Sequence, residues 1–217
     1  MSCTWDRDRR HRPCDRAQGR RSIRLPGYDY SQPGAYFVTI CAQAGECLFG
    51  EVAGGEMALS DLGRIAVEEW LQTPIVRPYV QLDEFIVMPN HVHAILCIVD
   101  DDVRGGIGRG SGRGTALRAP TGTERRFGHP IAGSLPTIVG AFKSAVTKRI
   151  NRIRDTPAAR VWQRGYYEHV VRDEKALNRI RGYIVTNPRR WDRDSRNPRR
   201  QGQDDFDRWL ESYGAAV

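Results

Sequence analysis

A run of twenty residues from Val80 to Val99, VQLDEFIVMPNHVHAILCIV, limits most strongly what this chain can fold into. Its many β-branched and other apolar residues favour extended strands. Pro89 and Asn90 interrupt the run, and proline cannot supply the backbone donor that a central strand needs. We therefore predict two strands that pair as an antiparallel hairpin, at roughly 81–88 and 91–99.

Further strand and helix patterns lie on both sides of this hairpin. GAYFVTICAQ (34–43) and VWQRGYYEHVVR (161–172) predict strands, and the pair Gly54-Gly55 within 48–59 predicts a small hairpin. Three segments carry apolar residues at helical spacing after a capping residue. They are 60–73, 134–154 and 173–187, and their first residues, Ser60, Ser134 and Asp173, are the capping candidates. The resulting order of elements predicts an α+β fold, a ferredoxin-like sandwich with a central antiparallel sheet.

The domain organisation follows from shifts in composition. Residues 1–26 are rich in arginine and poor in apolar residues, which predicts a flexible basic arm. Residues 104–133 hold nine of the 22 glycines and predict a flexible insertion rich in glycine and arginine. We expect one domain at 27–192 that contains this insertion, followed by a charged tail at 193–217.

Positive charge exceeds negative charge, with 34 Lys and Arg against 26 Asp and Glu. The excess is concentrated in residues 1–26, 134–154 and 188–201. Such basic stretches favour a polyanionic partner, usually nucleic acid, although a solvated surface gives the same charge pattern. The candidate contacts to a nucleic-acid backbone are Lys143, Lys148, Arg149, Arg152, Arg189 and Arg190.

The cysteines and the apolar segments bear on the compartment. The cysteine count is five, an odd number, and no CxxC pair occurs, which favours reduced thiols in the cytoplasm. No uninterrupted apolar stretch reaches the roughly 18 residues that indicate a membrane span. The N-terminus lacks the apolar region of a secretory signal. We therefore expect a cytoplasmic protein that does not enter the membrane.

His91 and His93 are the first candidate site residues. Alternate side chains of a strand point to opposite faces, so the two imidazoles share a face with Val92 on the other. Two imidazoles in this arrangement can hold one cation from one side. The same pattern also fits one structural histidine and one that is partly exposed at a sheet edge.

Tyr183 and Asn187 form a second pair on the last predicted helix. They are four residues apart and therefore lie on one face of that helix. An ordinary helix whose Tyr covers the sheet gives the same spacing. Together with His91 and His93, however, the amide oxygen of Asn187 can complete a site for Mg²⁺ or Mn²⁺. A tyrosine beside such a cation can attack a phosphodiester, and the phosphotyrosine bond then retains the energy needed for rejoining.

Four stretches in this order carry a specific resemblance: RRSIRLPGYDYSQPGAYFVTICAQ, EFIVMPNHVHAIL, IVGAFKSAVTKRIN and VWQRGYYEHVVRDEKALNRIRGYIVTNPRRW. They cover roughly residues 20–100 and 134–192. The chain resembles the REP-associated tyrosine transposases of the HUH superfamily of single-tyrosine transposases. The MPNHVH and YIVTNP segments are the most specific parts of the resemblance.

The resemblance implies a role for each matching residue. His91 and His93 match the paired metal histidines, Tyr183 matches the nucleophile, and Asn187 matches the third metal-ligand position. It implies a ferredoxin-like fold with the histidine strand in the sheet and a C-terminal helix that carries the tyrosine. It also implies Mg²⁺ or Mn²⁺ as cofactor and single-stranded or hairpin DNA as partner.

The function predicted from these observations is that of a metal-dependent single-stranded DNA endonuclease and strand transferase. Its intermediate is a 5′-phosphotyrosine, and its targets are hairpin-forming repeats. Three alternatives stay open: a domesticated hairpin-binding protein without catalysis, a relaxase or replication initiator of the same superfamily, and a metallohydrolase that uses water. The protein can be a monomer, in which Tyr183 meets its own histidines, or a homodimer.

Overall fold

Four antiparallel strands form the central sheet in a computed structural model, which describes residues 28–99, 131–202 and 204–215. Across the sheet the order is β4 (Val80–Met88), β5 (His91–Ile98), β1 (Gly34–Cys41) and β6 (Tyr167–Val171). The predicted hairpin of β4 and β5 is confirmed, with Met88 opposite His91 next to the two-residue turn. The predicted arm at 1–26, and all but the last three residues of the insertion predicted at 104–133, lie outside the described residues.

The small hairpin and the helices complete the fold. The hairpin predicted around Gly54 forms β2 (Gly50–Ala53) and β3 (Glu56–Leu59). The helices are α1 (Asp61–Leu71), α2 (Thr73–Val76), α3 (Leu135–Arg154), α4 (Glu174–Thr186) and α5 (Asp205–Ala215). Apart from the inserted β2–β3 hairpin, the order β1, α1, β4, β5, α3, β6 and the strand order of the sheet are those of a ferredoxin-like fold. The fold predicted from the sequence is therefore confirmed.

Capping side chains set the starts of two helices where the sequence predicted them. The hydroxyl of Ser60 accepts the Gly63 amide at 3.1 Å at the start of α1. The carboxylate of Asp173 accepts the Ala176 amide at 2.7 Å at the start of α4. Each contact satisfies one of the amide groups that a helix leaves without an internal partner.

Two predicted elements differ in extent from the structure. A one-turn helix, α2, follows α1. Pro74 is compatible with α2 because it lies in the first turn, where no helical amide donor is needed. The strand predicted at 161–172 is shorter and begins at Tyr167. Gly165 has a φ of 89°, which turns the chain before β6, and Trp162 makes only an isolated bridge with Ala42.

The sheet has an apolar core on each face, because successive side chains of a strand alternate. On one face, Tyr36, Val38 and Ile40 of β1 pack with the buried faces of α1 and α3. On the other face, Phe37 packs with α4 and α5. The β1–β5 register places His91 and His93 on this second face.

The chain after α4 continues beneath this second face. Pro188 follows the last α-helical turn, and residues Asn187–Arg193 form a 3₁₀ helix instead. The stretch predicted as a tail at 193–217 contains the buried residues Asp194, Phe206 and Leu210. The domain boundary at 192 stays a prediction.

His169 on β6 makes folding sensitive to acid. It is buried, and burial, assisted by Arg172, lowers its pKa from 6.5 to about 4. The unfolded chain therefore binds a proton more readily than the folded one, and stability is lost as the pH falls from about 6.5 towards 4. We expect this histidine to cost about 2 kcal/mol of unfolding free energy at pH 5 relative to pH 7.5.

The measurement is urea unfolding at both pH values for the wild type and His169→Phe. The variant should lose about 2 kcal/mol less between pH 7.5 and pH 5. Other titrating groups are common to both proteins and cancel in the comparison. An equal pH dependence in the two proteins would show that His169 is not the group responsible.

Candidate metal centre

The two histidines of β5 lie side by side in the interior. Their ring centroids are 4.3 Å apart, and both rings are at most 1% exposed. Burial lowers the pKa of each imidazole well below 6.5, and Arg196 acts in the same direction. Both rings are therefore neutral near pH 7, which is the form that binds a metal.

The hydrogen bond to Asn90 determines which nitrogen of His91 faces the site. The amide nitrogen of Asn90 donates to the carbonyl oxygens of Gly45 at 3.1 Å and Arg196 at 2.8 Å. Its oxygen Oδ1 therefore accepts, and it lies 2.9 Å from Nδ1 of His91. This network assigns the proton of His91 to Nδ1 and leaves a lone pair on Nε2.

His93 is held in a similar way from β1. Its Nδ1 lies 2.9 Å from Oγ1 of Thr39, the residue opposite it in the sheet. Its Nε2 faces Tyr183 on α4. Both histidines thus use Nδ1 for a supporting contact and turn Nε2 towards the same space, as metal-binding histidines do.

Asp194 offers a third candidate ligand atom, which the sequence did not predict. One ligand atom each from His91, His93 and Asp194 lie within 4.8 Å of one another. Oδ2 of Asp194 is 3.7 Å from Nε2 of His91, and the residue is 1% exposed. In sequence Asp194 looks like the exposed Asp192 of the same arginine-rich stretch, so no local pattern identified it.

Asn187, the third ligand predicted from the sequence, lies beside Asp194. Its Nδ2 donates to Oδ2 of Asp194 at 3.1 Å. Its Oδ1 is buried and has no hydrogen-bond partner among the described residues. Nε2 of His91 is likewise buried without such a partner. Unpartnered buried acceptors are costly in an apolar interior, and a cation would satisfy both.

Tyr183 completes the group from α4. Its hydroxyl lies 3.3 Å from Nε2 of His93, although the two residues are 90 positions apart in sequence. The ring of Phe206 on α5 stacks on the phenol at a centroid distance of 3.6 Å and an angle of 5°. Burial raises the pKa of Tyr183, Asp194 adds to the increase, and Arg196 opposes it. The phenol is therefore protonated at neutral pH.

An ion pair fixes the helix that carries Tyr183. The guanidinium of Arg181 donates to both carboxylate oxygens of Asp83, at 2.8 and 2.5 Å. Asp83 lies in the irregular part of β4, where the register with β5 shifts. Arg181 lowers the pKa of Asp83, so the pair stays charged at neutral pH. The geometry is bidentate, which fixes orientation as well as distance.

The predicted nucleic-acid contacts fall into two groups. Lys143, Lys148, Arg149 and Arg152 lie on α3, which packs on the face of the sheet opposite the histidines. Within this group, Lys148 and Arg152 are exposed. The amine of Lys143 donates to the carbonyls of Gln163 at 2.7 Å and Gly165 at 2.8 Å. Arg149 pairs with Glu68 at 2.6 Å and Glu69 at 2.9 Å.

The second group follows the site directly in the chain. Arg189 is exposed, and Arg190 pairs with Asp204 at 2.5 Å. Both arginines come immediately after Asn187 and Pro188. The structure therefore brings Tyr183, His91, His93 and Asn187 together. Of the two predicted groups of basic residues, the second is the one next to them.

No helix within the described residues combines the length and the apolar character that crossing a membrane requires. Cys41, Cys47 and Cys97 form no disulfide within the described part of the chain.

Comparison with known proteins gives one close sequence relative. No protein-family model matches the chain. Among solved structures, a REP-associated tyrosine transposase bound to a REP hairpin is 15% identical, covers 79% of this chain and 74% of its own, and has a TM-score of 0.49. An uncharacterized protein of Haemophilus influenzae is 39% identical over 175 residues, which are 81% of this chain and 91% of that protein. This chain therefore belongs to the same protein family as the Haemophilus influenzae protein.

Proposed function

We propose that the protein is a metal-dependent transposase that cuts and rejoins single-stranded DNA at hairpin-forming repeats through a 5′-phosphotyrosine. The observation that carries the proposal is the position of the Tyr183 hydroxyl, 3.3 Å from His93, beside three buried ligand atoms that share one small space. A nucleophile next to a cation site is the arrangement that phosphoryl transfer needs. The resemblance of the MPNHVH and YIVTNP segments supports the same assignment.

The residues present fit a divalent cation. His91, His93 and Asp194 would hold it. Asn187 contacts Asp194 through Nδ2, and its buried, unpartnered Oδ1 would be a further oxygen donor. A set of two imidazoles and carboxylate or amide oxygens suits Mn²⁺, and Mg²⁺ accepts the oxygen donors. When bound, the ion would polarise the scissile phosphate and neutralise part of its charge.

The chemical step uses Tyr183 as the nucleophile. The phenol oxygen attacks the phosphorus, and the bond from phosphorus to the 3′ oxygen of the preceding nucleotide breaks. The phenol proton passes through solvent water to the departing 3′ oxygen, which becomes a hydroxyl. The new phosphotyrosine bond preserves the energy of the broken bond, so a DNA 3′ hydroxyl can reverse the reaction without a nucleotide cofactor.

Access to the phenol requires a movement on the α5 side. Tyr183 is 3% exposed, and Phe206 covers the face of its ring. A phosphate can meet the hydroxyl only when this contact opens. Since Tyr183 contacts His93 of its own chain, the contact supports attack in cis.

The partner that fits this reading is single-stranded or hairpin DNA. The side chains of Lys148, Arg152 and Arg189 are exposed and have no ion pair with another described residue, so they are available to phosphate groups. The pairs of Arg149 and Arg190 with carboxylates would have to open first. Binding through such contacts weakens steeply with salt, because each neutralised phosphate releases counterions.

The test is an adduct assay. Wild-type protein is incubated with end-labelled hairpin DNA that has a single-stranded flank, and the products are separated under denaturing conditions. We expect a protein–DNA adduct with Mn²⁺ and none with EDTA. Tight hairpin binding without an adduct in any divalent metal would favour the hairpin-binding alternative, and cleavage without an adduct would favour a metallohydrolase that uses water.

A further inference from the structure

Arg196 has a backbone that is tied to both sides of the candidate metal centre. Its amide donates to Oδ1 of Asp194 at 2.7 Å. Its carbonyl accepts from Nδ2 of Asn90 at 2.8 Å, and Asn90 also holds Nδ1 of His91. The backbone of this short loop therefore holds Asp194 and Arg196 in place, and these two hydrogen bonds do not involve the side chain of Arg196.

The guanidinium of Arg196 lies within the electrostatic reach of the site. Its positive charge lowers the pKa of His91 and His93 and opposes the rise in the pKa of Tyr183. Burial lowers the pKa of Arg196, but neighbouring groups, including Asp194, raise this pKa by more. The guanidinium therefore stays charged. Arg196 is thus a permanent cation on a loop whose backbone is hydrogen-bonded to Asp194 and Asn90.

This cation has unused hydrogen-bonding capacity. Nε of Arg196 is buried without a hydrogen-bond partner among the described residues, and one terminal nitrogen donates to the hydroxyl of Ser195 at 2.8 Å. Arg149, Arg181 and Arg190 each pair with a carboxylate. Arg196 has no such ion pair within the part of the chain that the structure describes. A buried donor without a partner is costly, which favours a role with an anion that arrives later.

Phosphoryl transfer supplies an anion of the required kind. Negative charge is spread over the nonbridging oxygens of the phosphate in the transition state, and an arginine fork matches two such oxygens. On the basis of the proposed function, we infer that Arg196 binds a nonbridging oxygen of the scissile phosphate and stabilises the transition state of tyrosine attack. No covalent bond forms to Arg196, which keeps its protons throughout the step.

The first test compares rates with affinities. Arg196→Gln is expected to slow adduct formation at saturating DNA by about 100-fold or more, as the loss of one transition-state donor does in other enzymes. Affinity for the hairpin without metal should change by no more than about threefold, because the interaction develops in the transition state. Arg193→Gln is the matched control, since Arg193 is an exposed arginine of the same segment, and its rate at saturating DNA should equal that of the wild type.

The second test locates the contact on the phosphate. The two phosphorothioate diastereomers of the scissile linkage each replace one nonbridging oxygen by sulfur. In the wild type, sulfur at the oxygen bound by Arg196 should slow the reaction, and in Arg196→Gln the same diastereomer should cause little further loss. A residue that only supports the fold would slow both diastereomers by equal factors. Arg196→Lys keeps the charge and the backbone contacts but lacks the fork, and it should show the same loss of diastereomer preference.

The outcomes separate the two proposals. If the wild type forms no adduct, the proposed function is wrong. If the wild type forms the adduct and both Arg196 variants keep its rate, or slow both diastereomers equally, the role of Arg196 is wrong and the proposed function stands. Thermal unfolding of each variant identifies any that fails to fold, and in that case the remaining variant decides the result.

Discussion

Tyr183→Phe is expected to abolish the denaturant-stable protein–DNA adduct and to leave hairpin binding intact. The substitution removes the hydroxyl oxygen that serves as the nucleophile in the proposed mechanism. The ring stays stacked on Phe206, and the lost contact to His93 is a single hydrogen bond of 3.3 Å. The free energy of unfolding should therefore change by about 1 kcal/mol or less. The measurements are the adduct assay with Mn²⁺, hairpin affinity, and urea unfolding.

Tyr36→Phe is the matched control for this prediction. Tyr36 is also a buried phenol on the central sheet, and its hydroxyl donates to the carbonyl of Gln32 at 2.7 Å. It lies on the opposite face of the sheet from His91 and His93. The variant should lose a similar amount of stability and keep the full adduct yield. An adduct that persists in Tyr183→Phe would assign the nucleophile to another residue.

Asp194→Ala is expected to have the second largest effect, on metal binding and through it on the reaction. Among the described residues, Asp194 is the carboxylate that shares a group of candidate ligand atoms with both histidines, all within 4.8 Å of one another. Its removal should weaken Mn²⁺ binding by more than the roughly 10–100-fold loss that follows removal of a supporting residue around a metal. The adduct should become undetectable at Mn²⁺ concentrations that saturate the wild type. Isothermal titration of the metal-free protein with Mn²⁺ measures the affinity.

Two further variants make the Asp194 prediction specific. Asp192→Ala removes an exposed carboxylate two residues upstream and should bind Mn²⁺ like the wild type. Asn187→Ala tests the ligand predicted from the sequence. If Asn187 only orients Asp194 through its 3.1 Å contact, the loss of affinity should stay within about 10–100-fold. A larger loss for Asn187→Ala than for Asp194→Ala would restore Asn187 as the main third ligand.

The buried state of the site bears on the competing functions. A non-catalytic hairpin-binding protein would have no need for unpartnered acceptors such as Nε2 of His91 and Oδ1 of Asn187 in its interior. A metallohydrolase would have no need for a phenol placed next to His93. A relaxase or replication initiator would share the site, so the DNA substrate, not the chemistry, separates it from a transposase.

Local sequence patterns determined the helices and strands and, separately, the two residue pairs of the candidate site. The twofold alternation of strands placed His91 and His93 on one face, and the helical period placed Tyr183 and Asn187 one turn apart. Both inferences depend only on backbone geometry over a few residues, which is why the sequence was sufficient for them. The order of the elements then predicted the ferredoxin-like sheet.

Only the tertiary structure decided how these pairs meet and what joins them. Asp194 and Arg196 belong to a stretch without clear periodicity before α5, and Phe206 lies in the first turn of α5. Their roles arise from contacts with residues far away in sequence. The bond from Asn90 to the carbonyl of Arg196 spans 106 positions. Such contacts are set by the packing of α4 and α5 on one face of the sheet, since a local pattern carries no information about which distant side chain will fill a given space.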